Sequence, residues 1–103
     1  MPEFMKVAKI TEVPSGQSKV VDLGGLQIAL FNVGGRYFAI NDMCTHAGGS
    51  LSEGDLDGTT IECPLHGARF DLATGQVLSP PAEADVASYK VQVEGEDIMI
   101  EVS

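Results

Sequence analysis

The sequence predicts an all-β fold, a small antiparallel β-sandwich or partly closed barrel of about eight to ten short strands. Two observations favour it: strand-like segments are separated by glycine pairs, and apolar residues alternate with polar ones near the C-terminus. A third is that no helical periodicity persists over about ten residues. With 103 residues, the chain has the length of a single domain, 1–103, which needs no disulfide bonds to fold.

The first half of the chain predicts an antiparallel meander. Residues 1–4, MPEF, precede a second methionine, Met5, where a strand-like pattern begins; they resemble a vector remnant, with a native extension as the alternative. The segment TEVPSG has room for one helical turn before Gly16. Three strand-like runs follow, joined at Gly24–Gly25 and Gly34–Gly35, where tight hairpin turns need positive φ angles.

The second half continues the strand pattern. ARFDLATGQVL contains a predicted turn at Ala73–Gly75, and YKVQVEGEDIMIEVS contains another at Glu94–Asp97. The last strand is predicted to bury one face, because apolar Ile98, Ile100 and Val102 alternate with Met99, Glu101 and Ser103. Between these segments, SPPAEADVA breaks the rhythm because its two prolines cannot donate to a ladder, so a surface loop is expected.

Charge and hydropathy exclude several classes of function. Fifteen acidic and six basic residues give a net charge of −9, which argues against nucleic-acid binding. The charge favours solubility first and electrostatic steering of a basic protein partner second. The sequence contains no apolar run of about 18 residues and no secretory signal, so we expect a soluble, cytoplasmic monomer without membrane contact.

Two short motifs, CTHAGG and CPLHG, contain every cysteine and histidine of the chain. In an extended segment Cys44 and His46 project to the same side, whereas Cys63 and His66 have the spacing of a tight turn in which Pro64 fixes φ. Sixteen residues separate the two pairs, enough for the chain to leave and return. Each motif therefore supplies one thiolate and one imidazole to a predicted metal site.

The residues alone leave three interpretations of these motifs open, of which the weakest is that four ordinary core and surface residues cluster by chance. Two cysteines and two histidines are a common zinc set, although structural zinc sites usually open with two closely spaced cysteines. A zinc-stabilised β module for protein binding is therefore an alternative from the non-redox class. A nucleophilic cysteine with a histidine base is weaker, because it does not explain the duplicated pair.

The spacing C-x-H, sixteen residues, C-x-x-H resembles that of the Rieske [2Fe–2S] proteins. From Asn41 to Ala82 the sequence is similar to the cluster-binding segment of the small Rieske ferredoxins that serve bacterial ring-hydroxylating oxygenases. The resemblance implies a Rieske fold with an inserted cluster-binding subdomain at 42–82 and one [2Fe–2S] cluster. Its ligands would be Cys44 and Cys63 on one iron, with His46 and His66, through Nδ1, on the other.

The same resemblance implies a function. It predicts an electron carrier without catalytic residues, which takes electrons from an NAD(P)H-dependent flavoprotein reductase and passes them to a terminal oxygenase of aromatic hydrocarbon catabolism. The alternative is a small Rieske subunit of another redox assembly, such as nitrite reductase. A proline-rich loop covers the cluster in this family, and it matches Ser79–Pro81 here.

The resemblance also implies a low reduction potential. High-potential Rieske proteins carry a disulfide between the cluster loops, but the matching positions are Gly49 and Leu65. Those proteins also place a serine and a tyrosine hydroxyl against the sulfur atoms, and Ala68 and Phe70 stand at those positions. Each missing donor makes the reduced cluster less stable.

Overall fold

The computed structural model describes residues 3–42, 50–64, 67–79 and 85–101 of the chain. These residues form eleven strands and two single-turn 3₁₀ helices, at Ile10–Glu12 and Leu51–Glu53, with no α-helix among them. The strands are β1 (Phe4–Lys9), β2 (Ser18–Leu23), β3 (Leu26–Val33), β4 (Arg36–Asn41), β5 (Asp55–Asp57), β6 (Thr60–Glu62), β7 (Arg69–Asp71), β8 (Val77–Ser79), β9 (Ser88–Tyr89), β10 (Val91–Glu94) and β11 (Asp97–Glu101).

The strands form three antiparallel sheets. The first sheet has the order β1-β11-β10, the central sheet β2-β3-β4-β9, and the third sheet β5-β6-β7-β8. The predicted all-β class is confirmed, and the sheets are layered as in a sandwich rather than closed into a barrel. The predicted strand number was too low, because β5 to β9 have only two or three residues each and show no readable alternation.

The central sheet is buried on both faces. On one side Ala29 and Phe31 belong to a core cluster with residues of the third sheet, including Ile61 and Phe70. On the other side a second cluster joins the central and first sheets, with the members Ala8, Val13, Val21, Ile28, Leu30, Ala39, Ile98 and Ile100. Covering both faces explains why β3 contains a continuous apolar run instead of an alternating one.

The predicted hairpins are confirmed. Gly24 and Gly25 have φ angles of 59° and 91°, and Gly34 and Gly35 have 61° and 93°. Two successive positive φ angles are the requirement of the two-residue turns that match the twist of paired strands. The turns predicted at Ala73–Gly75 and Glu94–Asp97 are also present.

Both ends of the described chain meet in the first sheet. β1 starts at Phe4, one residue before the predicted start, and Phe4 pairs with Glu101. The helical turn expected within TEVPSG lies slightly earlier in the chain, as the 3₁₀ helix Ile10–Glu12, which begins one residue before that segment. Ile98 and Ile100 are fully buried, as the alternation predicted, while Val102 lies outside the described residues. Within the described ranges, no helix has the length and apolar character that crossing a membrane requires.

Candidate metal centre

The structure describes one of the four predicted metal ligands, Cys63. The other three, Cys44, His46 and His66, lie outside the described residues, and so does Pro81 of the predicted covering loop. That the four ligands meet at one site therefore stays a prediction. The described residues do show how the chain enters and leaves the three segments that contain these residues, 43–49, 65–66 and 80–84.

Cys63 lies at the end of the β6–β7 hairpin. Its N–H donates to the Ala68 carbonyl oxygen at 2.7 Å, which extends the ladder by one pair beyond Glu62 and Arg69. Its carbonyl oxygen accepts from the N–H of Gly67 at 3.1 Å. Gly67 has a φ of +78°, in the left-handed region that favours glycine. The two ends of the CPLHG motif are thus held together as a tight turn.

Among the described residues, Cys63 belongs to an apolar core. The residue is 2% exposed and belongs to the core cluster between the central and third sheets, which includes Leu51, Ala68 and Phe70. Ala68 and Phe70 are fully buried. The two positions that the resemblance links to the potential therefore lie in the same core as the cysteine, and neither carries a hydroxyl.

Asp42 was not singled out by the sequence analysis, although it starts the segment with the first motif. Residues 43–49 carry Cys44 and His46, and across their ends the N–H of Leu51 donates to the Asp42 carbonyl oxygen at 2.7 Å. The Asp42 carboxylate accepts from the Ser50 hydroxyl at 2.6 Å and from the Ser52 N–H at 2.8 Å. The sequence signal that could have identified Asp42 is an acidic residue after an apolar strand, with Ser50 and Ser52 further along the chain.

The proline-rich segment is fixed at its ends in a similar way. Residues 80–84 begin after β8, and directly beyond them the Asp85 carboxylate accepts from the Val77 N–H at 2.8 Å. The next residue, Val86, donates its N–H to the Gly75 carbonyl oxygen at 2.9 Å. Both ends of the segment therefore adjoin the β7–β8 hairpin, and the predicted covering role of Ser79–Pro81 stays a prediction.

The outer face of the third sheet is acidic. Leu56, Ile61 and Phe70 pack inward, so the alternate residues of these strands face outward. In register across the sheet, Asp55 lies opposite Glu62, which lies opposite Arg69. Arg69 is the single cation that the structure describes in this sheet.

Arg69 neutralises only part of this acidic face. Its Nε lies 3.2 Å from Glu62 Oε1, and its Nη1 lies 4.0 Å from Asp57 Oδ2. Both ion pairs are solvent-exposed, which makes them weak. Like charges directly opposite each other, such as Asp55 and Glu62, are unfavourable for strand pairing. The face therefore keeps a net negative field beside the Cys63 turn.

The donor chemistry fits an iron–sulfur cluster. Cys63 is a buried cysteine whose N–H and carbonyl oxygen are both hydrogen-bonded to the main chain, and its sequence motif also contains His66. A thiolate in apolar surroundings with little solvent is the usual setting of such a cluster ligand. Nothing in the described surroundings of Cys63 opposes this assignment.

Comparison with known proteins shows the family to which the chain is related. The family model described as "Rieske [2Fe-2S] domain" matches residues 3–90. The 3-phenylpropionate/cinnamic acid dioxygenase ferredoxin subunit of Escherichia coli (strain K12) is 49% identical over 94 residues, which cover 90% of this chain and 88% of that protein.

Solved structures with the same fold include two dioxygenase ferredoxins. The ferredoxin of carbazole 1,9a-dioxygenase from Nocardioides aromaticivorans is 31% identical, with a TM-score of 0.89 and coverage of 97% of this chain and 96% of that one. A chain from a complex of reduced oxygenase and oxidised ferredoxin in carbazole 1,9a-dioxygenase is 34% identical, with a TM-score of 0.88 and coverage of 95% and 92%.

Proposed function

Because the chain belongs to the Rieske [2Fe–2S] domain family, we propose that it serves as the ferredoxin of a bacterial aromatic-ring dioxygenase system. It is an electron carrier with one Rieske-type cluster. The observation that carries the proposal is the 49% identity to dioxygenase ferredoxin subunits across 90% of this chain. The family match also decides between iron–sulfur and zinc, which the spacing of the motifs left open.

We assign the cluster ligands from the motifs. Cys44 and Cys63 would bind one iron, and His46 and His66 would bind the other. Bound there, the cluster supplies reversible one-electron chemistry, and two neutral imidazoles in place of thiolates raise its potential above that of an all-cysteine cluster. Because protein side chains would occupy every ligand position, the chain offers no coordination site for a substrate.

We propose one partner that donates electrons to this carrier and one that accepts them. A flavoprotein reductase would supply electrons from NAD(P)H, and a terminal oxygenase would receive them. The solved complex of an oxygenase with a ferredoxin similar to this chain supports the second partner. The acidic face beside the Cys63 turn supports docking of a positively charged surface.

Anaerobic electron transfer tests the proposed function. The chain is reduced with dithionite, freed of excess reductant and mixed in a stopped-flow instrument with the oxidised oxygenase component of the Escherichia coli 3-phenylpropionate/cinnamic acid dioxygenase. We expect the ferredoxin spectrum to return to its oxidised form in a second-order reaction. Failure to donate to this and to a panel of other ring-hydroxylating oxygenases would contradict the proposal.

The reduction potential is expected near the bottom of the Rieske range, roughly −150 mV. Ala68 and Phe70 provide no hydroxyl to the cluster sulfur atoms, and the neighbouring carboxylates oppose the added electron, more weakly because of solvent screening. Redox titration followed by EPR measures the midpoint. A value above about +100 mV, well inside the upper part of the range, would contradict both the argument and the dioxygenase assignment.

Restoring the hydroxyl groups provides a matched check on that argument. Ala68→Ser and Phe70→Tyr are each expected to raise the midpoint, provided that the new hydroxyl reaches a sulfur atom. Ala39→Ser, at a buried alanine in the other core cluster, is the control and should leave the midpoint unchanged. If all three variants had the same midpoint as the parent, the missing hydroxyls would not be what sets the potential.

Reduction by the cognate reductase is expected to slow as salt is raised. Screening shortens electrostatic attraction to about 8 Å at physiological ionic strength, so the acidic face loses its long-range effect. Asp55→Lys should lower the low-salt rate and weaken the salt dependence. Glu96→Lys, an equal change of charge in the exposed β10–β11 turn, is the control. If the reduction rate did not depend on salt, the acidic residues would serve solubility alone.

A further inference from the structure

Asp42 is one of only two polar or charged side chains that are buried among the described residues. It is 5% exposed, as is the other, Asn32. Most of the other carboxylates described lie at the surface, where they contribute charge without losing hydration. Burying a carboxylate costs free energy unless hydrogen bonds replace the lost water, so its partners indicate what it does.

The partners of Asp42 all lie on the return side of the segment 43–49. Oδ2 accepts from the Ser50 hydroxyl and Oδ1 from the Ser52 N–H, while the main-chain oxygen accepts from the Leu51 N–H. Asp42 itself is tied to the central sheet, because its N–H donates to the Gln27 carbonyl oxygen at 3.0 Å. Three hydrogen bonds thus join the two ends of the segment and fix them to β3.

The segment that these three hydrogen bonds close has seven residues and carries two of the four assigned ligands. Fixing its ends removes conformational freedom that would otherwise have to be lost when both ligands bind iron. The carboxylate is therefore placed to act on the two ligands through the ends of the segment that carries them.

We propose that Asp42 is a positioning residue for Cys44 and His46. Its carboxylate closes the ligand-bearing segment onto Ser50 and Ser52, which fixes the geometry in which the two ligands hold the cluster. This inference rests on the proposed function, because it assumes that the cluster binds to this segment. It assigns Asp42 a role at the metal centre beyond stabilising the fold.

The test compares Asp42→Ala and Asp42→Asn in the cluster-loaded protein. Alanine removes both side-chain hydrogen bonds, so we expect shifted EPR g-values and release of iron to a chelator about tenfold faster, which is the low end of the loss in metal affinity when groups that support metal ligands are removed. Asparagine has nearly the same shape and can bond to both Ser50 and Ser52. It should restore the parent's g-values and most of its iron retention.

Asn32→Ala is the matched control. Asn32 is equally buried, and its side chain also holds main-chain groups, with its Nδ2 donating to the Val13 carbonyl oxygen at 2.8 Å and its Oδ1 accepting from the Gly35 N–H at 2.9 Å. Its loss should lower the thermal unfolding temperature without shifting the g-values. Ser50→Ala removes one of the two hydrogen bonds to the Asp42 carboxylate, together with the bond between the Ser50 and Ser52 hydroxyls. It is a milder variant in case Asp42→Ala does not fold, and its iron release should be intermediate.

Parent-like g-values and iron release in Asp42→Ala would overturn the inference, as would equal changes in Asn32→Ala. Failure of Asp42→Asn to restore the parent's behaviour would overturn the hydrogen-bond explanation. Should Asp42→Ala not fold, unchanged iron release in Ser50→Ala would overturn the inference instead. A parent protein without a Rieske EPR signal would contradict the proposed function itself, so the two failures are distinguishable.

Discussion

Replacing His66 by alanine is expected to yield a folded protein that has lost its native cluster. In our assignment His66 is one of only two protein ligands to its iron, and the methyl group of alanine cannot bind metal. His46→Ala should have the same effect because the two histidines serve the same iron. Visible absorption, EPR and the iron content per chain measure the loss, and we expect all three to fall to a small fraction of the parent's values.

Thr45→Ala is the control for these ligand variants. Thr45 lies between Cys44 and His46, and the extended pattern predicts that its side chain faces away from the metal. It should keep the parent's spectra and iron content. If His66→Ala or His46→Ala also kept them with stoichiometric iron, the ligand assignment would be wrong.

Gly75→Ala is expected to destabilise the fold severely. Gly75 has a φ of +77°, and a Cβ atom there would lie 2.0 Å from the Val86 carbonyl oxygen, which belongs to the backbone. The chain segments around Gly75 and Val86 must then move apart. The hydrogen bond from the Val86 N–H to the Gly75 carbonyl oxygen is strained or lost as a result. We expect a loss of at least about 3 kcal/mol, from positive-φ strain and overpacking together.

Gly58→Ala separates the two contributions to that loss. Gly58 also lies in a hairpin of the third sheet and has a φ of +60°, but a Cβ atom there would meet nothing within 4 Å. It should cost only the conformational strain, about 1–2 kcal/mol. Denaturant unfolding of the two variants gives the difference, and equal losses would show that contact with Val86 is unimportant.

The sequence predicts much of this fold because its turns have a local cause. Gly24–Gly25 and Gly34–Gly35 mark two hairpins without any knowledge of the core, since no other residue type adopts such φ angles as easily. The short strands β5 to β9 were harder to find, because two or three residues are too few to show a period. The burial of both faces of β3 also escaped prediction, since only tertiary packing reveals it.

The site was predictable to a different extent. Its assigned ligands stand out because the chain contains no other cysteine or histidine. Asp42 did not stand out, because an aspartate in an acidic protein is expected at the surface. Its burial depends on Ser50 and Ser52 returning to it across seven residues, which is a contact between segments that periodicity does not encode.

The pairing of β1 with β11 has a consequence for how the protein folds. The hairpins of the central and third sheets join neighbours in sequence, whereas the first sheet joins the first described strand to the last. Contacts between distant residues form slowly because a long loop must close first. During synthesis, strands β2 to β8 precede β11 and can begin to pair before β11 has left the ribosome. We therefore expect the last cooperative step to complete the core on the side of the central sheet away from Cys63, leaving the metal-bearing side to form early.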